Sequence, residues 1–136
     1  VASSWRNTYQ PDVVKRFKEM GHEVYDFRNP GPKDQGFNWR EIDPNWESWT
    51  TEQYIKALNH PIAQKGFDND FYAMKWADTF VLVLPCGRSA HLELGWAVGQ
   101  GKTTAIMIPC AMEPELMVKM CDHIDTMDHI FGLFEK

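Results

Sequence analysis

The chain has 136 residues, 14 Lys and Arg against 19 Asp and Glu, and a formal net charge of −5. That length suits one domain over 1–136, large enough to bury about two thirds of its unfolded surface. With 43% hydrophobic and 24% charged residues, usage is globular, which argues against disorder, collagen and coiled coil; no apolar run reaches the roughly 20 residues of a membrane helix, no signal peptide is recognisable, and the acidic balance disfavours a nucleic-acid polymer as partner.

Val1-Ala2 reads as the tail of a first strand. It is too short for a whole one, so a few apolar residues and an initiator Met are expected ahead of it. Ser3, Ser4 and Asn7 then offer turn and capping groups. Val13, Val14, Phe17 and Met20 recur at helical spacing over Pro11–Met20, and Gly21 ends that helix. Glu23–Phe27 reads as a strand through Val24, Tyr25 and Phe27. Arg28–Thr50 carries Pro30, Gly31, Pro32, Gly36 and Pro44 with Trp39, Trp46 and Trp49; a loop this long is usually functional or mobile. Thr51–Leu58 predicts a short helix, and Pro61 opens a longer one to about Ala77. TFVLVL (Thr79–Leu84) is a continuous apolar run, as for a strand buried on both faces. Ser89–Gln100 is a predicted helix, Thr104–Ile108 a buried strand, Pro114–Met120 a short helix and His123–Asp125 a last strand. Met127–Phe134 is compatible with a final helix.

Strands alternating with helices predict an α/β fold. The expected form is a three-layer sandwich around a flavodoxin- or Rossmann-like parallel sheet of about five strands. Ligands of such sheets bind beyond the carboxyl ends of the strands. That selects Ser3–Asn7, the loop from Arg28, and Pro85–Ser89.

Cys86, Cys110 and Cys121 are odd in number and form no C-x-x-C, which reads as a reduced, cytoplasmic compartment. His123 and His129 flank Asp122, Asp125 and Asp128 but lack a helical ligand pair with a third partner, so no metal is assigned. GQGKTT (Gly99–Thr104) is no P-loop: the outer glycine position is Trp96, and the glycines close a helix where a P-loop opens one.

Four segments carry candidate chemistry. In PCGRSAHLELGWA (Pro85–Ala97), a strand end, a Gly turn and a helix start make an anion site at Gly87, Arg88 and Ser89. Glu93 follows, read as first-turn, among Leu92, Leu94, Trp96 and Val98; the plainer account is a Glu well placed near a helix N-terminus. Cys86, five residues before His91, is a rival nucleophile, though a small residue filling a turn is the simpler account. In FDNDFYAMKWAD (Phe67–Asp78), Asp68 and Asp70 flank Asn69 although Asp is a mediocre helix former; solvation is the plainer explanation. In ASSWRN (Ala2–Asn7), Ser3, Ser4 and Asn7 offer polar atoms, Arg6 suits phosphate and Trp5 suits a flat ring. Trp76 and Trp96 fall in helices and are assigned to the core, Trp5, Trp39, Trp46 and Trp49 to pocket loops.

Together ASSWRN, FDNDFYAMKWADTFVLVLP and HLELGWAVGQGK resemble the nucleoside 2-deoxyribosyltransferase family and the related deoxynucleoside 5′-monophosphate N-glycosidases. The resemblance covers most of the chain. It implies that Glu93 attacks the sugar C1′, that Asp70 protonates or orients the leaving base, and that Trp5 meets the base. An oxocarbenium-like transition state wants a carboxylate below the ring and a proton donor at the leaving group. The transferases carry an acidic residue six positions before the Glu. Here Gly87 stands there, followed by Arg88 and Ser89, which suits a phosphate and favours hydrolysis over transfer. The implied substrate is a small nucleoside or nucleotide, with no cofactor and with assembly as a homodimer or larger. Two alternatives stay open, a TIR-like NAD glycohydrolase and a non-catalytic nucleotide-binding module.

Overall fold

Gln10–Glu19 forms α1 because Val13, Val14 and Phe17 share one buried stripe, and Pro11 occupies its first turn. Gly21 follows with φ of 92°, a left-handed conformation that glycine adopts without strain. A computed structural model describes residues 1–135 of the chain. The sequence reads as one domain; the chain divides into two compact units, Val1–Asp26 with Ala77–Lys136, and Phe27–Trp76.

The first unit is α/β. Strands β1 (Thr79–Val83), β2 (Thr103–Met107) and β3 (His123–Asp125) are all parallel in the order β1-β2-β3. Thr79 pairs with Thr103 and Val83 with Met107; Ala105 pairs with His123. Helix α4 (Arg88–Gly99) connects β1 to β2, and α5 (Met127–Leu133) follows β3. Val81, Val83, Ala105 and Met107 pack with Val13 and Phe17 of α1 and with Ile130 and Phe131 of α5. Strand side chains alternate in direction, so buried Phe80, Leu82, Thr104 and Ile106 line the other face. Helix α4 packs against β1 and β2 with Ala90, Leu94 and Ala97 buried. Both faces are covered, which is why TFVLVL has no polar alternation.

The sheet has three strands among the described residues where about five are expected from the sequence. Ala2 makes one isolated parallel bridge to Leu82. Its N–H donates to Val81 O at 2.8 Å and its carbonyl accepts from Val83 N at 2.9 Å. Beyond that bridge, Val83 O accepts from two side chains, the Ser3 hydroxyl at 2.7 Å and Asn7 Nδ2 at 3.3 Å. Glu23–Phe27 forms no strand, although Val1 N donates to Tyr25 O at 3.3 Å.

Ends are fixed by specific side chains. Gly101, with φ of +74°, closes α4. Lys102 N donates to Ala97 O at 3.1 Å, and the Lys102 ammonium bonds Ala77 O. The GQGK segment is thus a helix terminator. Asp122 accepts from Thr104 N at 2.9 Å, and Asp122 N donates to Thr104 Oγ1 at 3.1 Å, locking β3 beside β2.

The second unit holds α2 (Thr51–Ala57) and α3 (Pro61–Trp76). Thr50 and Gln53 form a reciprocal capping box at α2. The long segment before it contains two short 3-10 helices, Trp39–Glu41 and Trp46–Ser48. Trp39 meets Phe37, Trp49 and Tyr54 at 4.7, 5.7 and 5.9 Å between ring centroids. Trp49 Nε1 donates to Asp43 at 2.7 Å. Phe37 in turn lies against Gly66 of α3, where a Cβ would come within 2.8 Å of it. Trp39 and Trp49, assigned from the sequence to pocket loops, are half-buried and pack with Phe37 and Tyr54. Trp76 is 50% exposed and is no core residue. No described helix is long and apolar enough to cross a membrane.

Candidate functional site

The carboxyl edge of the sheet is built around Asn7. This residue is 4% exposed, and both ends of its amide are used. Its Nδ2 donates to Pro85 O at 3.0 Å and Val83 O at 3.3 Å. Its Oδ1 accepts from Tyr9 N at 2.8 Å and Gln10 N at 2.9 Å. One side chain therefore fixes both the end of β1 and the start of α1. Ser3 adds its hydroxyl to Val83 O, and Ser4 Oγ accepts from Arg6 N at 3.1 Å. Of the first predicted segment, Asn7 and Ser3 brace the edge, while Trp5 and Arg6 stand exposed beside it.

Gly87 is the extended residue before α4, whose first residues, Arg88 and Ser89, are exposed. No side chain caps this end, so backbone N–H groups and the helix dipole face outward there. Glu93 is the sixth residue of α4 and lies in its second turn, not in the first turn read from the sequence. The first turn has no acidic residue. The dipole effect fades beyond the first turn, so it does not account for a carboxylate at 93. Glu93 is half-buried beside buried Leu94 and acts electrostatically on Cys86 and on the Val1 nitrogen.

Cys86 is not an activated thiol. Burial first, and the negative charge of Glu93 second, push it up to about 11. A thiol at that value is almost wholly protonated at neutral pH. His91 does not rescue it. The His91 Nδ1 is 2.9 Å from Gly87 O, a contact that requires the proton on that nitrogen, and it is 3.6 Å from the sulfur. The same nitrogen cannot also act as base.

Two buried polar residues escaped the sequence reading. Gln10 is 0% exposed on the apolar stripe of α1, and its Nε2 donates to Asp26 Oδ1 at 2.9 Å. Asp26 is itself 8% exposed. The Gln10 Oε1 is buried without a hydrogen-bond partner among the described residues. Such an orphan acceptor costs about 1–3 kcal/mol. The signal was present in the sequence: positions 10, 13, 14 and 17 share one helical face, and only the first is polar. Asp26 and Glu93 both act electrostatically on the Val1 nitrogen. The buried chain of contacts thus runs from Pro85 through Asn7 and Gln10 to Asp26.

In the second unit, Asp68 is exposed and accepts from Gln64 Nε2 at 2.8 Å, one turn back. It belongs to the solvated face of α3. Asp70 is half-buried on the other side, one turn after Gly66, with buried Ala63 and Ala73. Near the chain end, His129 Nδ1 lies 2.8 Å from Asp125 Oδ1, as an ion pair. Among the described residues no three His, Cys, Asp or Glu side chains converge as metal ligands would.

No protein-family model matches the chain, and no curated protein is significantly similar to it.

Proposed function

We propose that this chain cleaves the N-glycosidic bond of a (deoxy)nucleoside or its 5′-monophosphate, with Glu93 as nucleophile and water as the favoured acceptor. The observation that carries this is Glu93 itself: a half-buried carboxylate in the second turn of α4, beyond the reach of the helix dipole and close to the carboxyl edge of the sheet. Cys86, the rival nucleophile beside it, is held protonated.

One Glu93 oxygen attacks C1′ and forms a glycosyl ester. The bond from C1′ to the base nitrogen breaks, and its electron pair leaves with the base. The base takes up a proton as it leaves, a role that the resemblance of the segment Phe67–Asp78 implies for Asp70. Water then attacks C1′ of the ester and regenerates the Glu93 carboxylate, the two-step course of a retaining glycosidase. Gly87, Arg88 and Ser89 suit the phosphate, through the uncapped N–H groups of a twelve-residue helix and one guanidinium. Trp5 and Arg6 border the same edge of the first unit. Asn7 and Ser3 position that edge.

The finer form of the fold belongs to the same proposal. The three-strand parallel sheet is read as flavodoxin-like, with the segments at Ala2 and Tyr25 running beside it. Cytoplasmic residence, action without a cofactor and assembly with a second copy complete it. The test is incubation with deoxynucleosides and their monophosphates, followed by chromatography of free base. Free base from the parent and almost none from Glu93→Gln supports the proposal. Nicotinamide released from NAD instead would assign the site to the TIR-like class, and saturable binding without turnover would leave a binding module.

A further inference from the structure

We propose that the outward stripes of α2 and α3 are where a second copy of this chain docks, in a two-fold contact; this rests on the assembly proposed above and is independent of the cleavage. Within Phe27–Trp76, the only fully buried residues among the described ones are Ala57, Ala63 and Ala73. The large apolar side chains of the two helices are open instead. On α2, Tyr54, Ile55 and Leu58 share one side at helical spacing and are between 46% and 56% exposed. Tyr54 reaches this exposure although its ring meets Trp39 at 5.9 Å. On α3, Ile62, Tyr72 and Trp76 fall on one stripe with Lys65 and Asn69 between them, and Tyr72 is 72% exposed. Helix α2 has seven residues and its one buried side chain is an alanine methyl. A helix that short takes its stability from burying an apolar face rather than from propensity. That face is uncovered in the single chain.

Area and charge select the occupant. At their exposures, Tyr54, Ile55, Leu58, Ile62, Tyr72 and Trp76 leave roughly 600 Å² open. A stable contact covers about 800 Å² per partner, and open apolar patches of this size mark interaction surfaces. Two Tyr and one Trp among the six suit the centre of such a contact. Helices α2 and α3 carry Lys56, Lys65 and Lys75 against Glu52, Asp68 and Asp70. They are neutral together, so the rest of the chain carries the whole net charge of −5. A nucleic acid or an anionic membrane requires an excess of basic groups, and a basic peptide requires an excess of acidic ones. A second copy requires neither. In a two-fold contact each chain presents the same patch, so a surface with equal numbers of both signs meets itself without net repulsion.

The experiment is sedimentation equilibrium of the parent chain over about 1–100 μM, with circular dichroism to check folding. The parent should sediment with at least twice the chain mass. Leu58→Lys combined with Tyr72→Lys sets charges on both stripes, at side chains the single chain leaves exposed. The double variant should keep the folded signal and raise the dissociation constant at least about a hundredfold. Tyr72→Gln, a milder change that guards against a misfolded double variant, should raise it about tenfold. Leu116→Lys, at an exposed leucine of the other unit, should leave it unchanged. A parent that stays monomeric over this range would overturn the proposal and the assembly with it. A dimer as tight in the Leu58 and Tyr72 variants as in the parent, or weakened as much by Leu116→Lys, would overturn the choice of face alone. Base release is scored separately, so the cleavage reading stands or falls on its own.

Discussion

Replacing Asn7 by alanine removes four hydrogen bonds from one buried position. Two of them cap the start of α1 through Tyr9 N and Gln10 N, and two tie down the carbonyls of Val83 and Pro85. Each net bond contributes about 0.5–1.5 kcal/mol, and the 3.3 Å contact to Val83 counts for least. The expected loss is about 3 kcal/mol, or roughly 10 °C in melting temperature for a chain of this size. Urea titration followed by circular dichroism measures it. Asn7→Asp divides the contribution: it keeps the acceptor that caps α1 but turns a carboxylate toward two carbonyl oxygens. It should therefore destabilise at least as much as Asn7→Ala. An Asn7→Ala protein within about 0.5 kcal/mol of the parent would refute the brace, and so would an Asn7→Asp protein of parental stability.

The remaining expectations concern other parts of the chain. Gly66→Ala improves helix propensity by about 1 kcal/mol but sets a methyl 2.8 Å from Phe37 Cβ; a net loss of about 1 kcal/mol is expected, reversing to a gain in a Phe37→Gly background, which removes that Cβ, and equal effects in both backgrounds would contradict the contact. Thr50→Ala breaks the α2 capping box and should cost about 1 kcal/mol, read from the urea midpoint. His129 is raised by its hydrogen bond and charge pairing with Asp125, and Asp125 is lowered by the same contact. The His129 contribution is present below its usual value of 6.5 and fades as pH rises through the raised one. The Asp125 contribution is present above 3.8 and fades as pH falls through the lowered one. An NMR titration should show the His129 midpoint falling toward 6.5 in Asp125→Asn. Alkylation of Cys86, followed by peptide mass spectrometry, should titrate near 11 and shift lower in Glu93→Gln; a midpoint near 9 in the parent would contradict the burial and the neighbouring charge.

Much of the fold was legible because its signals are local. The apolar run at Thr79, the stripe of Val13, Val14 and Phe17, and the Gly101 terminator each produced the element their patterns imply. Long-range choices were hidden. No pattern announces that side chains of Ser3 and Asn7 meet the Val83 carbonyl at the end of the strand. The packing of Trp39 with Phe37, Trp49 and Tyr54 was not legible, because an aromatic loop reads alike whatever its rings touch. Within the candidate site, Glu93 and the turn before it were visible as a motif, yet Glu93 lies in the second turn of α4, beyond the first turn that the dipole favours. Gln10 was passed over because one polar residue at a helix start looks like an ordinary capping group. Asp26 was hidden inside a predicted strand.

The central claim is that Glu93 attacks C1′ of a nucleoside. The most direct measurement is the rate of free-base release from deoxynucleoside monophosphates by the parent and by Glu93→Gln, both shown to be folded. Loss of a covalent nucleophile costs several orders of magnitude. The expected result is release by the parent and a drop of at least about a thousandfold in the variant. Release at the parental rate by Glu93→Gln would contradict the claim.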